Sequence, residues 1–401
     1  MDTQSSHQNF YGLSIAPRIL DLLDRLKFKV PTPIQYKAIP MAIDGQDVIG
    51  VAQTGTGKTL AFGIPMIQRL AQGSGKGLVL VPTRELALQV EETIRKLAVP
   101  FGMKTACLIG GASMYMQVKA LRMNPRVIIA TPGRMLDHMS QNTVRLRDVS
   151  IIVLDEADRM LDMGFAPQIN RILPHLPANR QTMLFSATIP DKIIKIASSY
   201  MKLPVSVEIA PSGTAAKNVT HQLFIIRKEE KMPLLLKLLN QYRGTVLIFG
   251  RTKRGVSRIT MGLRALGINA TETHSDRSLA QRRQALEGFK NGKYRIMVAT
   301  DIAARGIDVK GIELVINYDL PDDSENYVHR IGRTGRAGHE GRAISFATPD
   351  QRGDVNNIER VMKKSLTIAK HPDIRSSEFF SAPSRSSRSF RRPAPRRSYR
   401  Y

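Results

Sequence analysis

Small residues, a lysine and a hydroxyl follow one another in the segment AQTGTGKT, Ala52 to Thr59, with a spacing suited to holding a phosphate chain. In such a loop, glycines allow a tight turn in which backbone N–H groups converge, a lysine reaches the β- and γ-phosphates, and a hydroxyl binds magnesium. Ala52 stands where the common pattern has glycine, and a methyl group can satisfy that position. The residues expected to bind are Gly55, Thr56, Gly57, Lys58 and Thr59. The segment predicts a site for a phosphate chain and Mg²⁺ but does not say what hydrolysis would drive.

Two carboxylates end a second segment that could do chemistry, IIVLDEAD, Ile151 to Asp158. Its four apolar residues predict a buried strand, after which Asp155 is placed to hold the metal and Glu156 to orient and deprotonate an attacking water. Acidic residues at the end of a strand are often only solvated. Their occurrence downstream of a phosphate loop favours nucleotide hydrolysis.

A third segment, HRIGRTGRAG, supplies positive charge for a transition state. Arg330, Arg333 and Arg336 are three residues apart, one helical turn, so Arg333 and Arg336 are expected to point the same way. The interspersed glycines weaken a plain basic helix and suit close approach to phosphate. An arginine finger contributes roughly 10³ to 10⁵ in rate. Because this segment lies far from the other two, hydrolysis is predicted to require two domains to close on one nucleotide.

Short apolar runs bounded by turn residues predict the strands that position these groups. In the first half they are Val48–Val51, Leu78–Val81, Val127–Ala130, Ile151–Leu154 and Met183–Phe185. In the second half they are Val246–Phe249, Ile296–Ala299, Leu314–Ile316 and Ala343–Phe346. Continuous apolar runs are typical of strands buried on both faces of a parallel sheet, and helical stretches such as Glu85–Leu97 between them indicate βαβ units.

We therefore predict an α/β protein with two domains, at residues 1–209 and 219–366, joined by a small polar linker at 210–218. The composition changes near His371, and we place a flexible basic tail at 367–401. Residues 371–401 hold eight Arg against one Asp and one Glu. This tail is predicted to contact phosphates without sequence preference and to stack aromatic rings on bases; a merely solubilising tail is the alternative.

The charge of the chain points to a polyanionic partner. Its 401 residues include 60 Lys and Arg against 34 Asp and Glu, a net charge of +26. Nucleic acid is the leading candidate and an anionic membrane surface the weaker one. The segment MDTQSSHQNF lacks the pattern of a signal peptide, and no apolar run approaches the roughly 18 residues of a membrane span, so a cytoplasmic protein without membrane contact is expected. The single cysteine, Cys107, is expected to be a buried, inert strand residue.

Taken together, these motifs resemble those of the DEAD-box ATP-dependent RNA helicases, and more loosely the bacterial RhlE-like subgroup. The tetrad DEAD, Asp155 to Asp158, is the family's namesake, and the resemblance covers about residues 10 to 350. It implies two RecA-like domains, ATP and Mg²⁺ as cofactors, and single-stranded or short duplex RNA as partner. Thr59 and Asp155 would hold the metal, partly through water. Ribosomal or RNA-decay proteins are possible further partners that the sequence does not identify.

The resemblance also implies roles around the nucleotide. In PTPIQ, Gln35 would bond the adenine edge, with the upstream Phe10 stacking on the base, and Asp308 would contact the ribose. The residues implied to couple ATP state to unwinding are Asp158, Ser186, Thr188 and His329. A lone histidine is commonly a satisfied core residue, and only the place of His329 at the head of the arginine segment favours coupling.

Contacts with the RNA backbone are implied at hydroxyls, guanidinium groups and bare backbone N–H groups, which suit phosphates. They are Arg84, Gly111 with its neighbour Gly110, Thr131, Arg134, Arg282 and Thr300. Two positions depart from the family pattern: Leu279 stands where the family has glutamine, and Ser275 follows His274 where it has glycine. The departures concern RNA contact by the second domain.

The mechanism expected from these roles is RNA-stimulated ATP hydrolysis coupled to local unwinding of short duplexes or remodelling of RNA–protein complexes. An ATP-gated RNA clamp or assembly scaffold with little unwinding has the same motifs. A DNA-directed motor is a further alternative, because no residue proves recognition of a 2′-hydroxyl.

Overall fold

The computed structural model describes residues 9–52, 55–209, 219–304, 309, 311–335 and 340–380. Within them the chain forms two seven-stranded sheets, one on each side of residues 210–218. The strands of the first sheet are β1 (Val48–Val51), β2 (Lys76–Leu80), β3 (Thr105–Leu108), β4 (Val127–Ala130), β5 (Val149–Asp155), β6 (Gln181–Ser186) and β7 (Val205–Glu208). Those of the second are β8 (Val219–Ile225), β9 (Val246–Phe249), β10 (Ala270–Thr273), β11 (Ile296–Ala299), β12 (Leu314–Asn317), β13 (Gly341–Ala347) and β14 (Thr367–Ile368).

Helices cover both faces of each sheet. In the first domain they are α1 (Pro17–Arg25), α2 (Pro33–Ile43), α3 (Lys58–Gln72), α4 (Arg84–Ala98), α5 (Met114–Arg122), α6 (Pro132–Ser140), α7 (Ala157–Asp162), α8 (Ala166–Ile172) and α9 (Asp191–Tyr200). In the second domain they are α10 (Lys231–Gln241), α11 (Lys253–Ala265), α12 (Leu279–Lys290), α13 (Asp301–Ala304), α14 (Ser324–Ile331) and α15 (Arg352–Met362). None of the helices in these ranges has the length and apolar character needed to cross a membrane.

The two sheets have the same strand order. It is β3-β4-β2-β5-β6-β1-β7 in the first and β10-β11-β9-β12-β13-β8-β14 in the second, and the strand pairs are parallel. The prediction of two α/β domains with parallel sheets is confirmed. In a sheet of this kind the carboxyl ends of the strands meet at one edge, where ligands bind.

Burial explains why continuous apolar runs marked the strands. Along β2, Val79 packs into the core on one face of the sheet while Leu78 and Leu80 pack into the core on the other. In the second domain, Val246 and Leu247 divide between two cores in the same way. Each residue of such a strand meets helices, so none needs to be polar.

The predicted end of the second domain is wrong. The tail was placed at 367–401, but β14 pairs with β8, and Ile374 is buried in the second domain's core. The Ser377 N–H donates to the Ile225 carbonyl at 2.8 Å. Residues 367–380 therefore belong to the second domain, because their few apolar side chains and backbone groups find partners on it. The linker at 210–218 and the Arg-rich residues 381–401 lie outside the described residues.

Cys107 lies in β3, as predicted, although its side chain is only partly buried. Burial raises the pKa of its thiol to about 12. A thiol that stays protonated is a poor nucleophile and metal ligand, so the inert role holds.

Candidate active site and RNA groove

The phosphate loop connects β1 to α3 at the carboxyl edge of the first sheet. β1 lies between β6 and β7, and its last residue Val51 is level with Ser186. Gly57 has φ +88°, a left-handed conformation that glycine adopts at little cost, and α3 begins at the next residue. Lys58 and Thr59 thus occupy the first turn of a 15-residue helix, whose N-terminus favours anions.

Lys58 carries the plainest sign of a missing ligand. Its side chain is buried, and its Nζ has no hydrogen-bond partner among the described residues. A buried ammonium without such a partner is costly in a native protein. Anionic oxygens of a phosphate chain would satisfy it, which supports the predicted role of this lysine.

Asp155 is the last residue of β5 and Glu156 follows it at the same edge, and both are buried. Burial raises the pKa of Asp155 to about 6, against the opposing effect of Lys58. Burial also opposes ionisation of Glu156, but Arg159, Lys58 and Arg333 outweigh it and lower the pKa of that carboxyl to about 2. Glu156 is therefore an ionised acceptor, ready to bond a water. Its φ of +52° is unusual for a residue with a side chain, and such conformations cluster at functional sites.

The predicted coupling residues of the first domain form one hydrogen-bonded cluster. Asp158 Oδ2 accepts the N–H groups of Ala187 and Thr188, each at 3.0 Å, and the Thr188 hydroxyl at 3.2 Å. The Asp158 N–H donates to Ser186 Oγ at 3.2 Å. The first turn of α7 is thus tied to the end of β6 and the residues after it, so a shift of one segment must move the other.

The second domain contributes arginines, but its arginine segment is not the continuous helix that the three-residue spacing predicted. The helix α14 ends at Ile331, and Arg333 lies in the turn after it, where Gly335 has φ +67°. The prediction that Arg333 lies on a helix is therefore wrong. Arg333 is buried and close enough to Glu156 to affect its pKa. Arg336 lies outside the described residues, as does the predicted ribose contact Asp308.

Arg330 is a structural residue of the second domain. Its guanidinium binds Asp301 with two hydrogen bonds, at 2.5 and 2.7 Å, and lies over the Phe249 ring at 5.0 Å. His329, one residue earlier on α14, lines a narrow space between the domains with Arg159 and Arg333. The structure therefore brings His329 to the nucleotide edge, where a coupling role was predicted.

The PTPIQ segment lies against the phosphate loop. Gln35 Oε1 accepts the Thr32 N–H at 2.9 Å, completing a capping box at the start of α2, and Gln35 Nε2 donates to the Gly57 carbonyl at 2.9 Å. A Cβ atom on Gly57 would collide with the Gln35 amide. Both polar ends of Gln35 are therefore engaged, and each keeps one further position, an N–H donor and an oxygen lone pair, with which to bond an adenine edge.

The predicted stacking role of Phe10 is not compatible with its position. Phe10 is 3% exposed and packs in the core of the first domain. Phe28, three residues before Pro31, is 43% exposed and was missed. Its signal in the sequence was an isolated aromatic between two lysines at the start of the same segment.

Five of the residues predicted to bind the RNA backbone lie around one groove of about 440 Å³. The groove is lined by Arg84, Thr131, Arg134 and Arg282, with Gly110 at its wall. Gly111 lies beside Arg84: a side chain at Gly111, which has φ +74°, would collide with the guanidinium. Arg134 Nη1 donates to the Ala112 carbonyl at 3.2 Å. The glycine pair thus lets Arg84 pack on its loop.

The groove is shared between the domains. Arg282 on α12 lies 3.0 Å from Glu85 on α4, joining Nη1 to Oε1, and Ser275 of the second domain also lines the groove. Leu279, one turn before Arg282, packs against the core cluster of the first domain. Thr300 follows β11 and lies apart from the groove lining, with its N–H donating to the Thr273 carbonyl at 3.3 Å.

The donor set fits a magnesium ion held jointly with phosphates. Thr59 and Asp155 offer oxygen ligands, which Mg²⁺ prefers, at the edge where Lys58 lacks a hydrogen-bond partner. No group of three His, Cys, Asp or Glu side chains within the described ranges could hold a metal alone. Mg²⁺ commonly binds through one or two protein oxygens plus substrate phosphates, so Thr59 and Asp155 provide the number and type of protein ligands that such a site needs.

Two parallel α/β domains, with a nucleotide site on one and arginines from the other at its edge, define the class of two-domain RecA-like nucleotide hydrolases. A DEAD/DEAH box helicase model matches residues 32–196, and a helicase conserved C-terminal domain model matches residues 230–338. The DEAD-box ATP-dependent RNA helicase CshA of Geobacillus kaustophilus is 43% identical over 368 residues, which span 91% of this chain and 79% of that protein. The chain belongs to the DEAD/DEAH box helicase family.

Solved structures agree with this assignment. The structure of S. cerevisiae Dbp5 bound to RNA and ADP BeF3 has a TM-score of 0.82 and 29% identity, over 90% of this chain and 96% of that one. The structure of Mss116p bound to ssRNA and AMP-PNP has a TM-score of 0.83 and 27% identity, over 92% of this chain and 81% of that one. The predicted pair of RecA-like domains is confirmed.

Proposed function

We propose that this protein is an ATP-dependent RNA helicase, in which RNA-stimulated ATP hydrolysis drives local separation of short RNA duplexes. The observation that carries the proposal is that each candidate site is built from both domains. Arg333 of the second domain meets Glu156 of the first, and Arg282 of the second meets the groove of the first. The family and the RNA and nucleotide analogues named in the two solved structures support the same activity.

At the nucleotide site, each residue has a role that follows from its chemistry. Lys58 and the backbone of the phosphate loop bind the β- and γ-phosphates, while Thr59 and Asp155 hold Mg²⁺, which when bound neutralises developing charge. Glu156 accepts a hydrogen bond from the attacking water and orients it. Arg333 and, by the family pattern, Arg336 complete the site from the second domain, with Asp308 at the ribose.

At the groove, Arg84, Arg134 and Arg282 contact phosphates, with backbone N–H groups of the glycine loop and the Thr131 hydroxyl beside them. Such contacts carry little sequence information, so a broad range of RNA is expected to bind. We expect the Asp158 cluster to couple the nucleotide site to this groove, because its hydrogen bonds tie α7 to the end of β6 and the residues after it. Closure follows only from ligands that prefer the closed state, so ATP and RNA should each strengthen the binding of the other.

Two finer assignments remain proposals. A place in the RhlE-like subgroup is expected from the motifs alone, and the relative reported above carries the name CshA instead. A cytoplasmic location without membrane contact rests on the composition of the chain. Ribosomal and RNA-decay proteins are the candidate classes of further protein partner.

The test is steady-state ATP hydrolysis with and without single-stranded RNA, for the wild type and for Glu156→Gln. We expect strong stimulation by RNA and its loss in the variant, which keeps the shape of the side chain but not its negative charge. The matched control is Glu92→Gln, an exposed residue of α4 whose partner is Lys96. Hydrolysis indifferent to RNA would contradict the proposal.

Two further assays separate the alternatives. ATP-dependent binding of RNA without displacement of a strand from a short duplex would favour a clamp or scaffold over a helicase. Stimulation of hydrolysis by DNA equal to that by RNA would favour a DNA-directed motor.

A further inference from the structure

Arg159 is among the largest fully buried side chains of the protein, at 1% exposure. It follows the DEAD tetrad on α7, and its Nη1 donates to Glu156 Oε2 at 2.7 Å in an ion pair whose two side chains are almost wholly buried. Burying a guanidinium is costly unless its donors are used. Its place beside the catalytic carboxylate therefore needs an explanation beyond packing.

One donor of this guanidinium has no hydrogen-bond partner in the described part of the chain. It is Nη2, and the guanidinium lines the narrow interdomain space described above. The space has a volume of about 10 Å³, room for about one water molecule. In this arrangement it is too small for a nucleotide, so Arg159 contacts protein groups rather than the phosphate chain.

The opposite wall of the space belongs to the second domain, and its residues include Phe249, Asp301, Asn326, His329 and Arg333. Asp301 is neutralised by two hydrogen bonds from Arg330, so it does not compete with Glu156 for the Arg159 charge. Arg159 thus holds Glu156 on one side and faces α14 on the other.

We propose that Arg159 is a positioning residue for the hydrolysis step: Nη1 fixes the Glu156 carboxylate, and Nη2 bonds an acceptor at α14 when the second domain closes. The inference rests on the proposed function and deepens it. The backbone at Glu156 is left-handed, and Arg159 holds the far end of that side chain. Closure then sets the direction of the group that orients the attacking water.

Loss of Arg159 should slow the chemical step while domain closure persists, whereas loss of a merely structural residue would impair both. Closure on ATP and RNA depends mainly on the contacts at Lys58 and in the groove, to which one hydrogen bond from Arg159 adds little, whereas the chemical step depends on the geometry of Glu156. Small misplacement of a reacting group costs about 10²-fold in rate. Loss of Arg159 should therefore lower kcat while ATP analogue and RNA still bind.

The experiment compares Arg159→Met, which keeps volume without charge, with Arg159→Lys, Glu156→Gln and the wild type. The control is Arg180→Met, because Arg180 lies before β6, at the opposite edge of the sheet, where its Nη1 donates to the Pro177 carbonyl at 2.7 Å. The readouts are kcat and KM for ATP at saturating RNA, melting temperature, and affinity for a fluorescent oligouridine in the presence of AMP-PNP.

We expect Arg159→Met to lower kcat about 10- to 100-fold, with KM and AMP-PNP-dependent oligouridine affinity within about twofold of wild type, as for Glu156→Gln. The kcat of Arg159→Lys should lie between those of Arg159→Met and the wild type, because an ammonium keeps the charge but lacks the planar fork of the guanidinium. An unchanged or raised kcat overturns the proposal, and so does loss of kcat and oligouridine affinity together. If Arg159→Met does not fold, Arg159→Lys decides by the same criteria. A wild type without RNA-stimulated hydrolysis would overturn the proposed function instead.

Discussion

At the scale of single residues, the chemistry is concentrated where burial and unmet hydrogen bonding coincide. Lys58 is buried without a hydrogen-bond partner among the described residues, and Asp155 and Glu156 are buried carboxylates with shifted pKa values. The arrangements at Lys58 and Asp155 cost stability in the isolated protein, whereas the charge of Glu156 is already balanced by Arg159, Lys58 and Arg333. The cost is tolerated because a nucleotide with Mg²⁺ supplies the missing charges, which is why such residues mark a ligand site and an ordinary core does not contain them.

The two phenylalanines near the adenine-reading segment lead to opposite predictions. Phe28→Ala should raise KM for ATP about tenfold with little effect on melting temperature, because an exposed ring stacks on a base for roughly 1–3 kcal/mol. Phe10→Ala should destabilise the first domain by roughly 3–5 kcal/mol, because its ring is buried in the core. The measurements are ATP titrations of hydrolysis and thermal unfolding.

Phe28→Tyr is the control, since it keeps the ring and should keep KM. If Phe10→Ala raised KM for ATP without lowering the melting temperature, while Phe28→Ala left KM unchanged, the predicted stacking role would return to Phe10.

Residues with fixed spacing could be predicted from the sequence, whereas residues defined by exposure could not. The phosphate loop and the DEAD tetrad are local patterns, and the structure brings them to one edge. The role of Phe10 failed because a sequence does not show which of two aromatics is buried. Arg159 was missed because its partner, Glu156, lies one helical turn away, and Glu85 was missed because its partner, Arg282, lies in the other domain. A motif does not specify either kind of contact.

At the scale of elements, the same distinction holds. β1, β4, β9 and β11 were predicted to the residue because their apolar runs are continuous and bounded by turns. The polar strand β10, whose sequence is ATET, and the short β14 carry no such signal. The arginine segment was expected to be helical from its spacing alone, yet α14 ends before its glycines, whose helix propensity is low.

The first turn of α12 offers a prediction about closure. Leu279 packs against the core of the first domain beside the ion pair of Arg282 with Glu85. Leu279→Gln restores the residue expected from the family pattern but loses apolar contact worth about 1 kcal/mol. We expect about fivefold weaker oligouridine binding in the presence of AMP-PNP, measured by fluorescence anisotropy.

Leu279→Met keeps the apolar contact and should bind as the wild type does. Tighter binding by Leu279→Gln would show that a polar contact at this position serves closure better than the leucine.

At the scale of the whole molecule, two domains of the same strand order divide one task. The first holds the phosphate-binding lysine and the carboxylates, and the second brings arginines to both sites. Neither ligand alone contacts the full set of groups, so the closed population should depend on both. The net charge of +26 adds a long-range attraction for RNA that acts before these contacts form.

The end of the second domain and the Arg-rich end of the chain can be separated by truncation. A chain ending at residue 380 loses seven arginines but keeps β14 and Ile374. It should retain kcat at saturating RNA, while the log–log dependence of RNA affinity on salt flattens by roughly 0.7 per lost phosphate contact on a single strand.

A chain ending at residue 366 should in addition unfold at a lower temperature, because it removes the strand paired with β8 and the apolar side chain buried beside it. Salt titrations of oligouridine affinity and thermal unfolding of both chains measure the two effects separately. Equal melting temperatures for the two would mean that residues 367–380 add nothing to the domain. An unchanged salt slope in the chain ending at residue 380 would mean that the seven arginines it lacks serve something other than RNA, since phosphate contacts cannot be lost without releasing fewer counterions.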